Sequence, residues 1–251
     1  MRSTSAIAVS AAALSVLGLA AWTARAEPPA DSALPKSGLV LGHGMDRYPS
    51  VSANEWVTYA DHVAVVTPVS ETEIAADTTE VERGEGMIGR KVTLRVDKIL
   101  WSNPQAAAPA PQSFDRESSG WVFKDTERAK FALHERPRVE TGHTYVVALH
   151  WEPEHCSEGD PAEPAHWVGL GAGSTLPFDN GTINKGEFEG SVQEAPTFAT
   201  TADTQGIEII DLPVTEVMSG KGETELVNLL ETAVPQTPLP QVTDSQTANA
   251  C

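Results

Sequence analysis

The sequence predicts a mainly β chain with minor helix: a small antiparallel β-barrel of the OB type or a sandwich, followed by a C-terminal helix and a disordered tail. Three observations carry this. Glycine and proline are frequent, at 19 and 18 residues, and split the apolar residues into short bursts. Residues 92–97 and 145–151 alternate with a period of two, the pattern of half-buried strands. Only two short segments, near 53–60 and 223–233, carry helix signals.

Residues 1–26 read as a secretory signal peptide. Arg2 supplies the positive charge, Ala6 to Ala21 the apolar run, and Ala24-Arg25-Ala26 a small-x-small cleavage site. The run is too short to span a bilayer. A single arginine rather than a twin pair favours the general export route, so the expected location is secreted, outside the cell. Residues 27–37 form a flexible lead-in, residues 38–234 a single β-rich domain, and residues 235–251 the disordered tail.

Within the domain, residues 38–41 predict a small strand. Ser52-Ala53-Asn54-Glu55 matches a capping box, so a helix runs from there to about Ala60, with Trp56, Val57 and Ala60 facing a core. Residues 62–70 are almost continuously apolar and suit a central strand, which Pro68 limits because it cannot donate to a ladder. An acidic connection, 71–86, leads to a strand at 91–101. There Val92, Leu94 and Val96 alternate, until Ile99-Leu100-Trp101 breaks the period and predicts a bulge. Residues 103–119 read as an exposed excursion, and 120–123 as a brief strand. In the strand at 143–151, Tyr145, Val147, Leu149 and Trp151 take one face, and Val146, Ala148 and His150 the other. Residues 167–170 and 206–214 are further strand candidates, and Asp179-Asn180-Gly181-Thr182 is a turn. In 223–233, Leu226, Leu229, Leu230 and Ala233 share a helical face, and Pro235 ends the helix.

The chain carries 35 acidic against 17 basic residues, a formal charge of −18; removing Arg2 and Arg25 with the leader takes it to −20. With no basic stripe, this excludes nucleic acid as a partner, and the charge serves solubility. No later stretch is long and apolar enough to insert in a membrane as a helix. Two cysteines remain, Cys156 and Cys251. In an exported chain they predict a disulfide that pins the tail, with a free or intermolecular Cys251 as the competing reading.

Three segments stand in a recognisable order: Ala60-Asp61-His62-Val63-Ala64-Val65-Val66, then residues 92–101, then Gly142-His143-Thr144-Tyr145-Val146-Val147-Ala148-Leu149. The pattern resembles the netrin-like OB barrels of the tissue inhibitors of metalloproteinases, and uncharacterised bacterial exported proteins with such modules. The resemblance covers about a third of the chain and implies a small, partly open antiparallel barrel. That family relies on an N-terminal cysteine and several disulfides, which this chain lacks, so no functional residue is carried over.

The densest polar run is 150–160, with Glu163 and His166 beyond. His150, His155 and His166 are of a type zinc accepts and are the candidate metal ligands, although the spacing matches no common zinc framework and an acidic surface loop competes. His150-x-Glu152 with Pro153 and Cys156 resembles the nucleobase-deaminase signature but lacks its second cysteine. There is no Gly-x-Ser-x-Gly, no His-Glu-x-x-His and no phosphate-binding Gly-x-x-x-x-Gly-Lys. Residues 169–174 resemble half a dinucleotide fingerprint and read as a tight turn. Residues 179–184, with Glu187 and Glu189, offer oxygen ligands suited to calcium but read as a hairpin turn. Trp56, Trp101, Trp121, Trp151 and Trp167 read as buried. No catalytic residue and no cofactor is assigned.

The expected function is an exported, soluble, non-catalytic binding or interaction domain whose partner is an extracellular protein or a small ligand. The alternative is a zinc-dependent extracellular hydrolase built on His150, His155 and His166. The resemblance implies a third, inhibition of an extracellular protease.

Overall fold

Local signals in the first hundred residues set the frame. The computed structural model describes residues 34, 38–44, 46–156, 162–196 and 209–238. The leader, nearly all of the lead-in, residues 206–208 and the tail beyond 238 lie outside them.

Strand β1 (Leu39–Gly42) precedes helix α1 (Ala53–Tyr59). The capping box forms as its residues predict: Ser52 Oγ accepts from Glu55 N–H, and the Glu55 carboxylate accepts from Ser52 N–H at 2.9 Å. β2 (His62–Ile74) follows, then a short helix α2 (Thr78–Arg83) and β3 (Glu85–Ser102). β4 (Ser113–Lys124) and β5 (Glu127–Leu133) form the next hairpin, and β6 (Tyr145–Glu152) returns to the centre. Four short strands complete the set among the described residues: β7 (His166–Gly169), β8 (Thr175–Pro177), β9 (Gly186–Phe188) and β10 (Ser191–Gln193). The helices α3 (Val214–Val217) and α4 (Glu223–Thr232) end the described chain.

The fold is mainly β, as predicted. Eight strands form one sheet in the order β1-β5-β4-β3-β2-β6-β7, with β8 also on β6; β9 and β10 pair separately. Among the described residues the sheet does not close into a barrel, and the sandwich-like alternative fits better. It is also not wholly antiparallel, because β1 joins β5 in parallel. No helix is long and apolar enough to cross a membrane among the described residues.

Several expected boundaries shift. β2 runs through Pro68 to Ile74, because its ladder with β6 ends at Val66 and leaves one side of the strand unpaired where the missing N–H does no harm. The acidic connection narrows to α2, capped by Asp77, since residues 71–74 and 85–90 belong to the ladder. The predicted bulge is present: Val63 pairs with Trp101 and Ala64 with Ile99, leaving Leu100 extra. The exposed excursion ends at Gln112, and β4 begins at Ser113. β4 passes β3 so closely at Gly120 that a Cβ there would lie 2.0 Å from the Ile88 carbonyl oxygen. Residues 179–181 form a 3-10 turn with Asn180 left-handed, not a hairpin turn, because β8 pairs with β6 and β9 with β10. Residues 209–211 are 3-10 and Val214 opens α3, so the described part of the 206–214 segment is not a strand.

Alternation gives the central strands two buried faces. On one, Val63 and Val65 of β2 and Val146 and Ala148 of β6 meet α1, α3 and α4 through Trp56, Val57, Val214 and Leu226, Leu229 and Leu230. On the other, Ala64, Val66, Val92, Leu94, Phe114, Tyr145, Val147, Leu149 and Trp167 pack together. The sheet curls around this second, concave face, so that β4 and β7 approach without sharing a ladder.

Candidate functional site

The antiparallel register sets Glu152 opposite His166 and His150 opposite Val168 on one face of the β6–β7 pair. The intervening loop folds back on itself, with His155 and Glu163 exchanging backbone hydrogen bonds. His155 Nε2 then lies 3.1 Å from Glu163 Oε2, and His166 Nε2 lies 3.5 Å from Glu163 Oε1 and 3.7 Å from Glu152 Oε2. Glu152 is buried and held by Arg47 at 2.6 Å. His150 stands apart: its Nδ1–H donates to the Tyr59 carbonyl at 2.9 Å, Asp61 Oδ2 is 3.5 Å away, and the Tyr48 ring lies 4.6 Å from its own. Burial, reinforced by the negative charge of Glu152, pushes the Tyr48 hydroxyl up. So His155 and His166 share a carboxylate, and His150 serves a different contact. Among the described residues no group of three or more His, Cys, Asp or Glu side chains is placed to hold a metal ion. Cys251 lies outside the described residues, so the Cys156–Cys251 bridge remains an expectation.

A concavity opens along the seam between β4 and β7. A cleft of about 530 Å³ lies there, with Lys91, Asp115, Arg116 and Glu117 on one wall and Glu163, His166 and Trp167 on the other. Arg116 crosses the seam and donates to Thr175 Oγ1 at 3.1 Å. Its register fixes this direction: Arg116 pairs with Val92 and Phe114 with Leu94, so the Arg116 side chain shares the concave face with buried apolar residues. Burial, with the charges of Arg136 and Arg90 nearby, pushes its guanidinium down to about 10. It stays protonated at neutral pH. Beyond Arg116 a second cavity of about 340 Å³ is bordered by Ser118, Leu133, Arg136 and Val139.

A buried ionic layer supports this wall. Arg90 is fully buried and reaches Glu71 at 2.5 Å and the Ser119 carbonyl at 2.9 Å. Glu187, 1% exposed, accepts from the N–H groups of Arg138, Val139 and Gly190 and from the Tyr145 hydroxyl, at 2.7–2.9 Å. Val139 sits at φ +64°, a region β-branched residues avoid. The two consecutive N–H bonds to Glu187 hold it there, at a cost of roughly 1–3 kcal/mol. Burial pushes the Tyr145 hydroxyl well up and lowers Arg138, the latter also through Arg90.

The remaining sequence candidates have structural duties. Gly171–Ser174 is a tight 3-10 turn, where a Cβ on Gly173 would lie 2.5 Å from the Ser50 carbonyl oxygen. Asp179 accepts from Thr144 N–H at 2.9 Å and pairs with His143 at 2.5 Å, while Glu189 turns to His134 at 2.7 Å. The oxygen groups of 179–189 therefore do not converge. Trp56 and Trp167 are buried, and Trp121 lies under Arg128, 3.7 Å from the ring centroid. The residues the sequence did not flag are Arg116, Ser118 and Arg136. Their only signal was Phe114, Arg116, Ser118 and Gly120 at alternate positions. Comparison with protein-family models, curated proteins and solved structures found no match.

Proposed function

We propose that the chain is an exported, non-catalytic binding domain whose ligand occupies the cleft between β4 and β7. The observation that carries this is the unclosed seam. A curled sheet leaves about 530 Å³ between two strands that do not pair, lined by Trp167 together with charged groups of both signs. A volume of that size, with a few placed polar groups, suits a small ligand. The leader at residues 1–26 supports export, and the acidic surface supports solubility.

The test uses protein secreted by its own host. Native mass spectrometry should find a small molecule retained on the folded chain. Returned to stripped protein, it should bind about tenfold more weakly to Lys91→Glu and His166→Ala, which alter opposite walls. Absence of any retained molecule, with no thermal shift across a panel of sugars, peptides and metabolites, overturns the reading. The same sample settles export, through an N-terminus near Glu27, and the Cys156–Cys251 bridge, through its non-reduced mass.

A second reading draws on Glu163 lying between His155 and His166. Stoichiometric zinc in protein purified without chelator, lost in His155→Ala, would replace the binding domain with a metal-dependent hydrolase. The netrin-like resemblance is our proposal on the same footing; inhibition across a panel of extracellular proteases is its check.

A further inference from the structure

Four arginines meet at the rim of the concave face, and three have carboxylate partners. Arg90 pairs with Glu71, Arg136 with Asp46 and Arg138 with Glu140. Arg116 has none among the described residues; it hydrogen-bonds there only to Thr175 Oγ1. Two positions along the same face of β4, Ser118 Oγ is buried with no hydrogen-bond partner among the described residues. Arg116, Ser118 and Arg136 all border the cavity of about 340 Å³. Around one space, which Glu117 also borders, stand a half-buried guanidinium fork with a single hydroxyl acceptor and a buried hydroxyl with none.

We propose that this cavity binds the oxyanion group of a small ligand, a carboxylate or a phosphate, with Arg116 as the principal donor. The inference rests on the binding reading above and names the chemical class of its ligand. The planar guanidinium fork matches two oxygens of either group, and Ser118 supplies a further donor. The bound anion provides the missing counter-charge between Arg116 and its two like-charged neighbours, which raises Arg116 back toward the ordinary arginine range. The rest of the ligand extends past Arg116 into the β4–β7 cleft, which shares that residue as a wall. A chain of formal charge −18 repels anions elsewhere, so a saturable affinity reports a local site.

Inorganic phosphate and succinate are titrated into the folded protein at an ionic strength fixed with chloride. The readouts are the Arg116 Nε–H resonance and the thermal midpoint. The expected result is a saturable shift with one or both probes and none with chloride; their ranking separates a phosphate from a carboxylate ligand. Arg116→Gln should weaken binding about tenfold or more, Arg116→Lys less, and Ser118→Ala least. Failure of both probes to saturate, or unchanged affinity in Arg116→Gln, overturns the proposal. Should Arg116→Gln not fold, an Arg116 resonance unmoved by either probe in the unsubstituted chain overturns it equally. A retained neutral ligand that Lys91→Glu and His166→Ala weaken, but phosphate and succinate do not displace, removes the oxyanion and leaves the binding domain standing.

Discussion

The two faces of the central strands are built from alternate residues of the same segments yet solve different problems. The helix-covered face has an apolar centre, where Val63, Val65, Val146 and Ala148 meet Trp56, Val214 and the leucines of α4, and buries a charge only at its end, in Glu152. The concave face has an apolar floor but a rim of arginines and buried carboxylates, Arg90, Arg116, Arg138 and Glu187 among them. Non-directional burial holds the first, while the second persists only because nearly every charge is hydrogen-bonded. Such a face costs stability where a partner is missing, so a rim group without a partner points to something that binds.

The comparison breaks most visibly at Trp56. It is fully buried and donates to the Ser50 carbonyl at 2.8 Å. Trp56→Ala should cost about 3–5 kcal/mol in urea denaturation, while the folded fraction keeps its oxyanion affinity. Glu187→Ala strikes the other face. It strands the Arg138 and Val139 N–H groups and releases the left-handed Val139, for a loss of roughly 2–4 kcal/mol. Here affinity should fall together with stability, and a fall in stability alone would show the rim to be purely structural. Gly120→Ala sharpens the contrast from the backbone side. The added methyl meets the Ile88 carbonyl oxygen and should cost about 1–3 kcal/mol by prising β4 from β3.

The smallest effect is a pH dependence confined to the rim. Burial alone would raise Glu140, but Lys130 and Arg138 outweigh it and hold its carboxyl below the usual range. A carboxyl lowered in the folded state stabilises it fully above the unfolded pKa and loses that contribution as pH falls through the folded pKa. Glu140→Gln should therefore flatten the acid side of the stability profile and leave Trp56→Ala's penalty unchanged. An acid side as steep as before would remove Glu140 from the account.

The helix-covered face was largely legible in the sequence. Ser52 and Glu55 announced α1, the leucine spacing announced α4, and strict alternation at 145–151 announced β6 with both of its faces. The concave rim was not. β4 begins directly after a proline- and alanine-rich run, which hid its first residues. β5 buries only small residues, Ala129 and Ala132, and so gives almost no apolar period. Arg116 and Ser118 occupy inward positions that a polarity pattern assigns to solvent. The histidine cluster assembles only in part, with His155 and His166 meeting at Glu163. Its residues are close in sequence, but His150 lies deeper along β6 and is occupied by the Tyr59 carbonyl.

The parallel pairing of β1 with β5 has a consequence for how the polypeptide comes into being. Leu39 finds its mate in Lys130, so the first of the described strands must wait, unmatched, until the ribosome has passed β4 and reached β5. Truncations ending before Lys130 leave that leading strand without a dock, and such nascent fragments will depend on chaperones to stay apart from one another.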